Sequence, residues 1–156
     1  MSNTGIRGFY LLTETIRDEL LSNIDVNTVT TGNLSNVNLQ KQNIFPLSHI
    51  IVNNVTDSEN ILTFNISVLA MDIVNITKLE TTNLFEGNNN EQDILNTQLA
   101  VLNKLIMVLR KGTLHQNLYQ LQNDPTLEPF YDRFENELAG WTATMSIAIY
   151  NDITIC

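Results

Sequence analysis

Two histidines and one cysteine are the side chains of this chain best suited to nucleophilic or metal chemistry. His49 lies inside "LSHIIV" with no cysteine or carboxylate at metal-ligand spacing, so it reads as a strand histidine satisfied by a hydrogen bond. His115 lies in a stretch rich in Gln and Asn and reads as solvated surface. Cys156 could act as a nucleophile only if a histidine and an orienting group converged on it, and it reads instead as a free, mobile thiol. No Gly-x-Ser-x-Gly elbow occurs, and six scattered glycines build no phosphate cradle. The oxygen-rich stretches "DSEN" (57–60) and "EGNNNEQD" (86–93) miss the spacing of a calcium loop and read as a turn and as a loop leading to a helix cap. An unfamiliar acidic enzyme would need carboxylates such as Asp57, Asp72 or Glu80 to converge with a histidine, which their spacing gives no reason to expect. The expectation is a protein without catalytic, cofactor-binding or metal-binding residues, and no enzyme.

One further cluster, "YDRFENE" (131–137), mixes aromatics with charge. It reads either as an interface rim anchored by Arg133 or as a solvated helical turn. The formal net charge of −9, with no Lys/Arg cluster, argues against direct nucleic-acid binding, because phosphates would be repelled. The same acidity suits a wall past which DNA slides without sticking. Only 16% of residues are charged, and the polar surface comes from 22 Asn and 17 Thr. The four Asn-x-Ser/Thr sequons, at Asn33, Asn54, Asn65 and Asn75, are what such a composition produces by chance. A lone cysteine fits a reducing compartment, no secretory signal is visible, and no apolar run approaches the ~20 residues that span a bilayer.

The elements that would position these residues follow from periodicity. In "GFYLLTETIRDELLSN", Phe9, Leu12, Ile16 and Leu20 share one helical face, which predicts a helix over roughly 8–22. The stretch 25–43 is polar and predicts a loop or a short exposed edge hairpin. "NIFPLSHIIVNN" predicts a strand over about 47–53, with Pro46 at its start, and "VTDSEN" a turn. "ILTFNISVLAMDIV" (61–74) alternates as the longest strand candidate, so the two segments form an antiparallel hairpin. A polar loop covers 75–90. The stripe Ile94, Leu95, Leu99, Leu102, Leu105, Ile106 and Leu109 predicts a long helix over 91–112, with acidic residues at its start and basic ones at its end. The stretch 113–140 is an irregular excursion in which 114–121 could be helix or strand and "FYDRFENEL" a helical turn. Finally Trp141, Ala143, Met145, Ile147 and Ile149 alternate with Thr142, Thr144, Ser146, Ala148 and Tyr150, which predicts a half-buried strand with a small, mostly hydroxylated second face.

These elements describe one domain of α+β class: a small, mostly antiparallel sheet packed against two helices, in the order helix, strands, long helix, strand. That order, carried by "YLLTETIRDELLSN", "IFPLSHIIVNN", "ILTFNISVLAMDIV", "DILNTQLAVLNKLIMVLRKG" and "WTATMSIAIYND", resembles the tail-terminator, or tail-completion, proteins of long-tailed phages and their relatives in contractile injection systems. The resemblance implies a virion protein, made in the host bacterial cytoplasm and without catalysis. It would form a homo-oligomeric ring, typically of six copies, on the head-proximal end of the tail tube. Its partners would be the tube protein and the neck or capsid connector, with DNA passing through the channel without specific binding and no membrane involved. A ring of this kind needs heterologous contacts, one patch meeting a different patch on its neighbour. The residues picked for that interface are Phe130, Tyr131, Arg133, Asn36, Asn38 and Phe85. Two other readings stand beside it: another neck, connector or tail-tube protein of the same particle, and a soluble assembly chaperone or binding module that never enters one.

Overall fold

The computed structural model describes residues 4–33, 42–74, 90–111, 119–133 and 138–150. A helix α1 (Thr4–Leu21) is followed by a short strand β1 (Thr28–Thr31), a 3-10 turn (Gln42–Ile44), and the strands β2 (Leu47–Asp57) and β3 (Ile61–Ile73). The long helix α2 (Glu91–Lys111) leads to β4 (Gln120–Leu121), β5 (Thr126–Arg133) and β6 (Leu138–Tyr150). The strands make one sheet in the order β1-β2-β3-β6-β4, with β5 also paired to β6. The fold is the expected α+β class.

The two long strands at the centre hold the sheet together. β3 and β6 run antiparallel in unbroken register from Ile61 opposite Tyr150 to Ile73 opposite Leu138. Because side chains alternate across a strand, this register puts Phe64, Ile66, Val68 and Ala70 on one face beside Ala143, Met145, Ile147 and Ile149. Both helices cover that face. From α1 come Leu12, Ile16 and Leu20, one turn apart, and from α2 come Val101, Leu102, Leu105, Ile106 and Leu109, all in a single buried cluster with those strand residues. Each such side chain contributes about 1.5–3 kcal/mol on burial, so this one-sided layer dominates the stability. Glu91 and Asp93 in the first turn of α2, with Arg110 and Lys111 in its last, match the helix dipole.

Several expectations change in detail. Phe9, counted with the buried face of α1, is 48% exposed, and Gly8 lies against Ile149, Leu62 and Phe64 in its place. The helix starts at Thr4, earlier than residue 8. Leu95 and Leu99 of the α2 stripe are half-buried, whereas Gln98 is buried among the apolar residues. Within 25–43, Thr28–Thr31 form a strand that pairs in parallel with β2, which a hairpin could not do. β2 runs on through Asp57, so the turn is confined to Ser58–Asn60, closed by Ser58 N–H to Ile61 O and the reverse bond. "FYDR" is the end of strand β5 and no helical turn, because the backbone of β6 offers the strand a ladder. The last strand begins at Leu138, three residues before Trp141. His115, Glu80 and most of the 75–90 loop lie outside the described residues.

Candidate functional site

The face of the sheet turned away from the helices divides into two halves. At the end where β2 begins and β3 finishes, Phe45, Leu47, Leu69, Met71, Phe130 and Leu138 form a second apolar cluster, buried within the subunit. Beyond it the same face turns polar. Asn53 Nδ2 donates to Ser67 Oγ at 2.9 Å. Asn65 Nδ2 donates to Asn54 Oδ1 and Ser146 Oγ donates to Asn65 Oδ1, so one chain of hydrogen bonds crosses β2, β3 and β6. Thr63, Thr142, Thr144 and, on β5, Thr126 flank that chain by register. The β2, β3 and β6 positions on this side carry no acid, lysine or arginine among the described residues, and the charged residues of β5 opposite them by register are Glu128, at Thr142, and Arg133, at Leu138. Sequence alternation placed polar residues on one side of β3 and of β6; the pairing register joins them to Asn54 and Thr56 of β2 as one uncharged surface.

His49 sits where the apolar half meets the β1 edge. It is fully buried, as read from sequence, and both ring nitrogens are engaged. Nε2 lies 2.8 Å from Gly32 O, and since a carbonyl only accepts, Nε2 carries the proton. Nδ1 lies 2.6 Å from Thr30 Oγ1 and accepts from that hydroxyl. Burial pushes the imidazole below its ordinary range, partly offset by the bond to Gly32. A neutral His49 thus pins β1 and the Gly32 turn, whose φ of 98° suits glycine, onto β2.

Past that clamp, β2 loses its outer neighbour. β1 pairs only with Leu47–Ile50, and no described strand pairs with the outer side of β2 from Ile51 to Asp57. The last bond on that side is Gly32 N–H to Ile50 O at 3.1 Å. Strand alternation therefore turns the next outward N–H and C=O, those of Val52, away from β3, on a side where no described strand pairs with them. An open groove of about 500 Å³ lies there, lined by Phe9, Thr31, Gly32, Asn33, Ile51 and Val52. Phe9 and Val55 are half-exposed beside it, and Asn53–Asp57 are all exposed. The opposite margin of the sheet is built differently: β5 carries Pro129, a residue that a strand tolerates at an edge.

Of the residues picked for an interface, Tyr131 is 50% exposed, while Phe130 is 3% exposed and packs inside the subunit. Arg133 ends β5 opposite Leu138. Asn36, Asn38 and Phe85, like Cys156, lie outside the described residues. Of the carboxylates considered for an acidic enzyme, Asp57 and Asp72 stand apart: Asp57 is exposed at the hairpin tip and Asp72 lies near the other end of β3, while Glu80 lies outside the described residues. Burial pushes the Asp72 carboxyl up, less the effect of the Ile73 N–H that its Oδ1 accepts at 2.8 Å. Among the described residues no three of His, Cys, Asp and Glu stand together as metal ligands, and no helix is long and apolar enough to cross a membrane. Sequence reasoning missed the open edge and its groove, because β1 is too short and polar to announce itself. No family model matches the chain, and no curated protein matches it.

Proposed function

We propose that this protein is a structural ring component of a phage tail or related injection particle, capping the tail tube and joining it to the neck, and that it performs no catalysis. The observation that carries the reading is the uncharged Asn/Ser/Thr surface across β2, β3 and β6, in a chain of net charge −9. Such a surface holds neither the cations that would bind phosphates nor an apolar patch that would grip another core, so it suits a wall facing a channel. The stretch of β2 that no described strand covers and the exposed Phe9, Tyr10, Val55 and Tyr131 offer contact surface for neighbouring copies. The order helix, strands, long helix, strands keeps the broad α+β arrangement on which the resemblance to tail terminators rests. Light scattering and negative-stain imaging of the purified protein test this directly. The expected result is a closed homo-oligomer, about six copies round a central hole; a monomer at tens of micromolar, unaltered by tail tubes, contradicts it.

A further inference from the structure

Among the described residues, His49 is the only ionisable side chain that is fully buried, and it holds the far end of β1. Its Nε2–H donates to Gly32 O and its Nδ1 accepts from Thr30 Oγ1, so one ring spans the last residues of the strand and the turn after them. At the same end, Gly32 N–H and Thr31 Oγ1–H both donate to Ile50 O, at 3.1 and 3.0 Å. These residues have little cover: Thr31 and Gly32 are exposed and Thr30 is half-buried, the surroundings in which a strand end opens locally. The opposite end of β1 is tied by groups that do not titrate, Asn27 N–H and Thr28 N–H to Pro46 O and the Asn27 amide to Asn43 O. We propose that protonation of His49 unlatches the Gly32 end of β1 from β2 in mild acid, while the rest of the sheet and both helices stay folded.

The neutral imidazole fits this place and the cation does not. Once Nδ1 takes up a proton, both ring nitrogens are donors. Thr30 Oγ1 can turn a lone pair to Nδ1, but the charge then sits buried beside Leu47 and Leu69 with no carboxylate to offset it. On that side of β1, β2 and β3 no other described residue is an acid or a base. Tyr150 of β6 and Glu128 and Arg133 of β5 lie two or three strands away by register. Asp57 and Asp72 alternate to the helix side of the sheet, where α1 carries its charged residues, and Asp25 is exposed between α1 and β1. Unlatching puts the ring in water, where it titrates near 6.5. Burial holds the closed form lower, so the open form takes up the proton first. The latch is therefore intact above about pH 6.5 and released progressively below it. Between pH 7.5 and 5.0 the ratio of open to closed molecules rises by up to about thirtyfold, the limit for a closed form that binds no proton. The inference stands on the clamp and does not require the ring reading.

Amide hydrogen exchange of the full chain, read residue by residue by NMR at pH 7.5 and 5.0 and corrected for the intrinsic effect of pH, tests this. The reporter is Gly32 N–H, and the amides of β3 from Phe64 to Ala70 report opening of the whole sheet. Gly32 should be at least about tenfold less protected than those amides at both pH values. Its protection should not respond to low urea, the mark of a local opening, and should fall by about fivefold or more from pH 7.5 to 5.0. In His49→Asn, Gly32 should lose that pH step. Gly32 protection that is the same at both pH values overturns the proposal, and so does exchange at the rate and with the urea dependence of β3. A pH step that persists at Gly32 in folded His49→Asn also overturns it. Should that variant not fold, the wild-type comparison of Gly32 with β3 decides.

Discussion

Gly140 and His49 show how single residues set the geometry of the outer face. A Cβ at Gly140 would stand 2.0 Å from Ala70 O and 2.8 Å from Met71 Cα, backbone atoms of β3 that cannot step aside without breaking the ladder. Gly140→Ala should therefore cost more than about 2 kcal/mol, read as a lower urea midpoint, with overpacking as the cause. The sequence alternation begins at Trp141 and says nothing of this glycine; the close approach comes from Ala70, 70 residues earlier in the chain, which no local pattern reports. The role of His49 was visible in outline, since a histidine inside an apolar strand must find partners, but the identity of Thr30 and Gly32 depends on a strand that sequence did not show. With its folded pKa lowered, the unfolded chain takes up the proton first. Its contribution is thus full above the unfolded value, near 6.5, and falls away as pH drops below it. Urea unfolding at pH 7.5 and 5.5 should show that loss, and His49→Asn should flatten it while lowering stability at pH 7.5.

Among the elements, those with one buried side were legible and those set by pairing were not. The periodicities of α1, α2, β3 and β6 follow from an apolar face meeting a core, so local patterns carry them. β1 and β5 are polar or charged segments whose conformation is decided by the strand beside them, and "FYDRFENEL" has the spacing of a helical turn until β6 offers Thr126–Phe130 a ladder. The long helix and the last strand are further tied by one bond that periodicity cannot reveal: Trp141 Nε1–H donates to Leu95 O at 2.7 Å. Trp141→Phe keeps most of the apolar contact but removes the donor. It should lower stability by about 1 kcal/mol in equilibrium unfolding, with the fold retained. Two buried oxygens in the same layer, Ser48 Oγ and Gln98 Oε1, have no protein partner. Gln98→Met should accordingly be tolerated or raise the unfolding midpoint, since burying an unpaired amide oxygen costs about 1–3 kcal/mol.

At the scale of the whole molecule, the sheet has one face committed to the helices and another divided between a small apolar cluster and an uncharged polar surface. In the ring proposal, that surface and the stretch of β2 that no described strand covers are the two places where other molecules would be met. That asymmetry is the physical content of the ring proposal, and it was only half readable beforehand: alternation showed the polar faces of β3 and β6, while the register that joins them to β2 and the stretch of β2 that no described strand covers are properties of the assembled sheet. The central claim is that this is a particle component, and the most direct measurement is its sedimentation in lysate of its source, followed by mass spectrometry across a gradient. The account predicts that the protein runs with assemblies of virion or injection-particle size. Finding it only at the size of a monomer or small oligomer, away from any particle, would contradict the account and favour a soluble assembly chaperone or binding module.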